Sequence, residues 1–528
     1  MSTMNTEGQK PAVLFNILSK IGLKKFYPNK LTLQSLLEIN KNSVSEEAVL
    51  SVEEIPWCFL RKLFKINAEC RNFIQLLNND EEENNDILDL YTADDSGDDN
   101  EVNPLDLIVA LFLCADSFLQ QEMALKMSMC QFSVPLLLPH HGSNSQFTLM
   151  LWALRDIVKE WRPHDLSESR GFVEDNIVQA NIPFYSFVRL KNCSLSKSQV
   201  LNHILSRGQQ NHNMFMHIEM EGRALERKIA NGLVEVCWYL SCGRENLDIF
   251  PEPVAFANLR GDICESLTQF SFLFQVSTAI FLFLDKVEDN EHKILTSLED
   301  VKYKLFLVGN CKVKNVKENM MSVIKTVNDL DLPKTAVKIK HQSVNVAGFS
   351  KKLCAAIKTS LLDVKTTISI VDMVDKAVEL GLSVDESKTD EEKKVIEEIM
   401  DGIGVQNIPQ FKKEQLPLQG ENWKRLSQLE KDECRMKEAG VSGLEEYKSQ
   451  LQAEKQQIWE EQSKEKLSKG MKSFIETLST TDKEKRDFFL KSMKFKFNTH
   501  SRDKLAVLRN KFKEQCKTQN SLQSWTRL

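Results

Sequence analysis

Lys197 and Ser198 close the octapeptide KNCSLSKS, Lys191 to Ser198, which overlays the phosphate-binding pattern GxxxxGK[ST]. In that pattern backbone N–H groups wrap phosphate oxygens, the lysine meets the outer phosphates, and the hydroxyl holds Mg²⁺. Both glycines are replaced here, by Lys191 and Ser196. A Cβ at either position crowds a backbone that must approach phosphate closely, so the loop is expected to be closed or reshaped. The retained Lys197 still suits a phosphate and Ser198 a Mg²⁺.

Other residue types with chemical potential are more scattered. Glu219, Glu221, Asp248 and Glu252 flank apolar segments, but nothing in their spacing fixes a pair for acid and base work, and surface solvation is the default reading. His140-His141 has no further ligand nearby, no HExxH or CxxC occurs, and no zinc or disulfide framework is supported by the 12 cysteines. That pattern suits reduced thiols in cytosol or nucleus. Serines and cysteines lack a nucleophile-elbow or Cys/His signature, so no catalytic and no metal residue is assigned.

The elements that must position Lys197 and Ser198 follow from apolar periodicity. Between 181 and 362 short apolar runs alternate with amphipathic stretches, which predicts a largely parallel sheet flanked by helices. The predicted strands are 184–190, 233–240, 254–259, 279–284, 304–309 and 336–340. The predicted helices are 197–206, parts of 262–276, 292–302, 316–328 and 348–362. The apolar stretch Phe270 to Leu284 is interrupted by Ser, Gln and Thr and is too short for a membrane span, so it reads as a buried helix end entering a strand.

The flanks differ from this middle. Residues 1–79 carry short amphipathic segments and read as a helical unit. From 80 to 101 there are eleven Asp or Glu and no Lys or Arg, which predicts a disordered linker over 80–102. Residues 103–180 read as a helical connector packing on the α/β domain, with a strand or extended core segment at 130–140. Residues 363–528 are rich in Lys, Glu, Gln and Leu and predict a helical bundle or stalk. Its part 483–516 holds eleven basic and four acidic residues with Phe488, Phe489, Phe495, Phe497 and Phe512 interleaved. A solvated basic face with a phenylalanine core stripe is favoured there over contact with RNA or anionic lipid. The expected fold class is α+β multidomain: helical N-terminal unit, central α/β domain, long helical C-terminal region. With 528 residues but only 19 Gly and 13 Pro, long helices are favoured over a loop-rich all-β fold, and a net charge of −6 argues against bulk nucleic-acid binding. No basic, apolar secretory leader opens the chain.

The order of the middle domain resembles a guanine-nucleotide-binding fold. Two further places then correspond to its motifs. Asn258 to Gly261, NLRG, sits where DxxG would use an aspartate to hold the Mg²⁺ shell, and Asn258 cannot supply that charge. Asn310-Cys311-Lys312-Val313 sits where NKxD reads guanine, and Val313 lacks the carboxylate. Lys197, Ser198, Asn258, Gly261 and Asn310 are therefore expected to outline a vestigial nucleotide pocket in a pseudo-GTPase domain.

Longer phrases carry a more specific resemblance. MHIEMEGRALERKIANGLVEVCWYLSCGRENLDIFPEPVAFANLRGDICES (216–266), IPWCFLRKLFKINAECRN (55–72), CQFSVPLLLPH (130–140) and FFLKSMKFKFNTHSRDKLAVLRNKFKEQC (488–516) resemble the very large interferon-inducible GTPases and the related up-regulator of cell proliferation. The resemblance implies a cytoplasmic and nuclear member of the dynamin-like GTPase superfamily, with GTP and Mg²⁺ entering only at family level. Members carry an intact GxxxxGKS loop downstream of the matched region; this sequence has none, and it is expected to be a short isoform, a degenerate copy or a shortened gene product. The expectation is a non-catalytic scaffold acting through protein partners, including full-length relatives or a second copy. A residual guanine-nucleotide binder or slow GTPase is the alternative, and an RNA or anionic-membrane adaptor using the basic tail is the third reading.

Overall fold

The computed structural model describes residues 9–38, 51–71, 102–140, 147–166, 172–206, 212–217, 225–298, 301–310, 316–364, 367–386, 390–404, 410, 420–435, 443–464 and 467–518. The acidic run expected as a linker lies outside them, apart from Val102. Two compact units divide the chain, Met1–Glu386 and Ser387–Leu528.

Among the described residues of the first unit eleven strands occur: β1 (Val134–Pro139), β2 (Phe147–Leu149), β3 (Val158–Trp161), β4 (Val173–Asn176), β5 (Phe184–Arg189), β6 (Val234–Tyr239), β7 (Val254–Leu259), β8 (Ala279–Leu284), β9 (Leu305–Asn310), β10 (Val337–Lys340) and β11 (Ser383–Val384). Nine of them form one mixed sheet in the order β10-β9-β8-β5-β7-β6-β1-β2-β11, while β3 and β4 form a separate hairpin. The run β7-β5-β8-β9-β10 is parallel and β6 is antiparallel to β7. After β5 the chain passes to one side of that strand, through β6 and β7, and then crosses to β8 on the other. The crevice at the carboxyl end of β5 is thus the topological switch point, where open α/β sheets bind ligands.

Alternation along these strands explains their near-continuous hydrophobicity, because both faces are covered. Tyr185 and Phe187 of β5, Phe256 of β7 and Phe281 of β8 enter one core with Val200, Leu201 and Ile204 of helix Lys197–Ser206. Phe184, Val188, Ala255, Ala257, Ile280 and Leu282 face the other core. Across the first face Phe187 stacks on Phe281 at 4.9 Å between centroids, and Phe281 stacks on Phe306 at 4.9 Å. By the same two-residue period Arg189 and Asn258 project to the face of helix Lys197–Ser206.

The sequence reading of 103–180 as a helical connector captures helices Pro104–Cys114 and Ser117–Met129. The strand or extended segment expected at 130–140 is β1, which with β2 extends the sheet itself, β1 lying antiparallel to β6. Helix Pro104–Cys114 is buried throughout, including Asp106, whose carboxylate accepts the N–H groups of Lys228, Ile229 and Ala230 just before β6. Near the end of the unit, β11 pairs with β2, the carboxylate of Asp385 accepts N–H from Trp152 at 2.8 Å and Ala153 at 3.1 Å, and Arg155 pairs with Glu386.

The second unit contains helices Asp390–Gly404, Glu421–Arg435, Leu444–Lys464, Lys469–Thr480 and Lys483–Thr518, with no strand among the described residues. Ile396, Ile399, Phe489 and Met493 form one small core, and Leu426, Leu429, Leu451 and Ile458 another. Phe488 and Phe489 are buried, as a core stripe requires, whereas Phe497 is largely outside it.

Candidate functional site

The loop after β5 begins the site. Ser196, standing where the pattern wants its second glycine, caps helix Lys197–Ser206: its Oγ accepts the N–H of Gln199 at 3.4 Å. Several loop N–H groups are committed within the protein. Ser194 N–H donates to Asp285 Oδ2 at 2.7 Å, Glu291 accepts the N–H of Lys191, and Asn192 donates its amide to Glu288 Oε1 at 2.8 Å. Carboxylates of the protein thus hold the outside of a loop whose counterpart cradles an anion.

Lys197 is buried, and its Nζ donates to the carbonyl oxygen of Leu259 at the end of β7. Burial first, then the guanidiniums of Arg260, Arg189 and Arg227, hold its ammonium well below the ordinary lysine value. Ser198 is also buried. Its Oγ accepts Nη1 of Arg260 at 2.8 Å and Nδ2 of Asn258 at 3.2 Å. Arg260 in turn pairs with the buried Glu235, which also accepts from Ser133 Oγ at 2.8 Å, and donates Nη2 to Met216 O at 2.9 Å. Asn258 is fully buried and its Oδ1 has no partner.

Gly261 turns the chain out of β7 in the left-handed region, φ +89°, where a side chain would be strained. Lys197, Ser198 and Gly261 line a cleft of about 390 Å³ that also includes Arg189, Arg227 and Arg260. Asn258 lies directly behind it, on Ser198. Asn310, at the end of β9, reaches the opposite side of the loop and donates to Ser194 Oγ at 2.9 Å. Residues 311–313, the remainder of the base-reading comparison, lie outside the described residues.

The residues that decide the electrostatics were not singled out from the sequence. Arg189, Arg227, Arg260 and Glu235 are charged side chains in apolar or loop text, where solvation is the usual fate. Only the alternation of β5 signalled that Arg189 shares a face with Tyr185 and Phe187.

Of the scattered carboxylates only Asp248 and Glu252 are among the described residues, and Asp248 is held by local hydrogen bonds. Asp248 accepts N–H from Cys242 and Arg244, both at 2.8 Å, Tyr239 OH at 3.1 Å, and contacts His164 Nε2 at 3.0 Å. Burial opposes its charge, but these hydrogen bonds outweigh that and lower its pKa. Glu252 is exposed, and Glu219 and Glu221 lie outside the described residues. His140 is exposed beyond β1, and His141 is outside the described set. Asp262, Cys264 and Glu291 bring one ligand atom each within 4.8 Å of one another. Asp262 already accepts Cys264 N–H and Glu291 accepts Glu288 N–H, while burial and then Asp262 push the Cys264 thiol up to about 11.

Family comparison divides the chain into three. Residues 14–88 match the up-regulator of cell proliferation-like N-terminal domain, 102–400 the up-regulator of cell proliferation-like domain, and 430–528 a related GTPase domain. That last stretch falls in the helical second unit, not around the β5 loop. The chain is 34% identical to the up-regulator of cell proliferation of Bos taurus over 504 residues, covering 91% of this chain and 54% of that protein. Against the interferon-induced very large GTPase 1 of Homo sapiens it is 29% identical, covering 86% of this chain and 19% of the relative. Against human caspase recruitment domain-containing protein 6 it is 33% identical, covering 63% and 32%. The chain spans about half the length of the up-regulators it matches.

Proposed function

The chain belongs to the family of up-regulator of cell proliferation-like proteins and very large inducible GTPases, and from that premise we propose that it is a non-catalytic interaction protein of proliferation or interferon-response pathways. On this reading residues 181–362 are a pseudo-GTPase domain, and the helical flanks join it to protein partners, either full-length relatives or a second copy.

The observation that carries the reading is the occupation of Ser198 Oγ by Arg260 and Asn258. A hydroxyl that binds Mg²⁺ needs a vacant lone pair and anionic neighbours; here a guanidinium approaches the same oxygen, and like charge repels a divalent ion. The pinning of Ser194 N–H by Asp285 adds to this, because phosphoryl-transfer catalysis depends on positioned donors and metal. The proposed setting is the cytosol or nucleus, where thiols stay reduced. Among the described residues no helix is long and apolar enough to cross a membrane.

Turnover of GTP by the 528-residue chain with Mg²⁺ tests the catalytic side. No phosphate release above buffer is expected, and release abolished by Lys197→Ala would overturn the reading. Co-purification with a full-length relative tests the association, against which a strictly monomeric protein that captures no relative would count. The RNA or anionic-membrane reading is weakened by the burial of Phe488 and Phe489, which takes those two rings out of any aromatic platform beside the basic residues.

A further inference from the structure

We propose that the cleft at the carboxyl end of β5 is a metal-free receptor for a phosphate-bearing anion, with the guanidinium of Arg260 standing where a metal-dependent site would hold its cation. The proposal rests on the non-catalytic reading above and gives the same cleft a ligand class.

Charge is the first argument. Arg189, Lys197, Arg227 and Arg260 line the cleft, and among the described lining residues the only carboxylate is Glu226. Behind Arg260 stands Glu235 and the Asp106 carboxylate lies near Arg227, so these cations outnumber the carboxylates by one. Basic side chains brought together at a partly buried surface repel one another; burial is the first cause that lowers the Lys197 ammonium, and the guanidiniums of Arg260, Arg189 and Arg227 add to it. A phosphate in the cleft reverses the sign of each of these interactions.

Donor geometry is the second. Arg189 shares its strand face with Phe187, its Nε is buried without a partner, and its Nη2 reaches only Lys191 O at 3.3 Å. The start of helix Lys197–Ser206 contributes the positive end of its dipole to the same cleft. Because Ser194 N–H is committed to Asp285, recognition falls to side chains rather than to a wrapping loop. Guanidiniums favour paired oxygens of phosphate, and a cleft of about 390 Å³ accommodates a phosphate ester or pyrophosphate. With Arg260 on Ser198 Oγ, binding needs no Mg²⁺.

Calorimetry on the 528-residue chain with inorganic pyrophosphate, GDP and inositol trisphosphate, each in EDTA and in Mg²⁺, separates the sources of phosphate. Binding in EDTA is expected, weakened by Mg²⁺ as the ion competes for the anion. Equal binding of pyrophosphate and GDP assigns recognition to the phosphates alone, and a preference for GDP or for the inositol ester identifies which carrier the cleft prefers. Lys197→Met and Arg227→Gln are each expected to weaken binding about tenfold or more. Lys197→Met is also expected to raise the melting temperature of the free chain, since it removes a buried, repelled cation, so its loss of binding is not loss of fold. No binding by any of the three at millimolar concentration, binding only with Mg²⁺, or binding untouched by both substitutions overturns the proposal. GTP turnover, by contrast, defeats the non-catalytic reading, whereas silence towards all three anions defeats this inference alone.

Discussion

Nη1 of Arg260 lies 2.8 Å from Oγ of Ser198, and both side chains are buried. A residue two positions beyond Asn258 thereby occupies, with a fixed monovalent cation, the hydroxyl oxygen that a phosphate loop reserves for a mobile divalent one. The pairing survives burial because Glu235 and Met216 O satisfy the rest of the guanidinium.

Removing one member of that buried pair should be costly. Glu235→Ala leaves Arg260 charged without its carboxylate and Ser133 with only the carbonyl of Met214 to accept from it, and a loss of about 3–5 kcal/mol is expected by urea unfolding. The apolar pair Glu235→Leu with Arg260→Met should recover most of it. A double variant as unstable as the single one would show that packing, not charge, dominates there.

The loop after β5 should loosen when its outer carboxylate is removed. In Asp285→Ala the Ser194 N–H loses its 2.7 Å acceptor, and its hydrogen exchange is expected to accelerate about tenfold or more. Exchange that stays at its original rate would mean the loop is held by Glu288 and Glu291 alone.

Near the end of the first unit, pH should tune stability through Asp385. Burial, opposed by the N–H groups of Trp152 and Ala153 and reinforced by Glu386, raises its pKa from 3.8 to about 7. A carboxyl with a raised folded pKa stabilises the fold fully below about pH 4, and that contribution is lost as pH rises to about 7. Melting temperatures measured from pH 4 to 8 should therefore show a downward trend in the parent relative to Asp385→Asn. Parallel curves would remove Asp385 from the account.

In the second unit Phe489 anchors the basic helix. Phe489→Ala opens a cavity where the side chain is fully buried, a change expected to cost about 3–5 kcal/mol locally. Trypsin should then cut within 483–518 markedly faster. Unchanged cleavage would reopen the possibility that these phenylalanines serve a ligand rather than a core.

The strands around the switch point were legible because they are covered on both faces: VAFANL and AIFLFL are β7 and β8 without adjustment, and helix 197–206 was read to the residue. Strands β3 and β4, VKEW and VEDN, escaped notice because charged, half-buried residues carry no apolar period, and β11 is only two residues long. Lys197, Ser198, Asn258 and Gly261 do gather in one place, as the motif order implied. Their partners were hidden: no local pattern announces that Arg260 will turn inward, because the carboxylate that permits it, Glu235, comes from an antiparallel neighbour 25 residues earlier.

Asp106 carries a consequence for the order in which the chain acquires its structure. Its carboxylate sits in an otherwise apolar helix and finds its three N–H partners 122 to 124 residues later. A chain emerging from the ribosome therefore displays that helix, with one unmatched charge, long before the segment that neutralises it has been made. Contacts this distant in sequence close late. Until Ala230 arrives the helix has reason to remain at the surface, so synthesis of this half passes through a stage that exposes apolar text to chaperones.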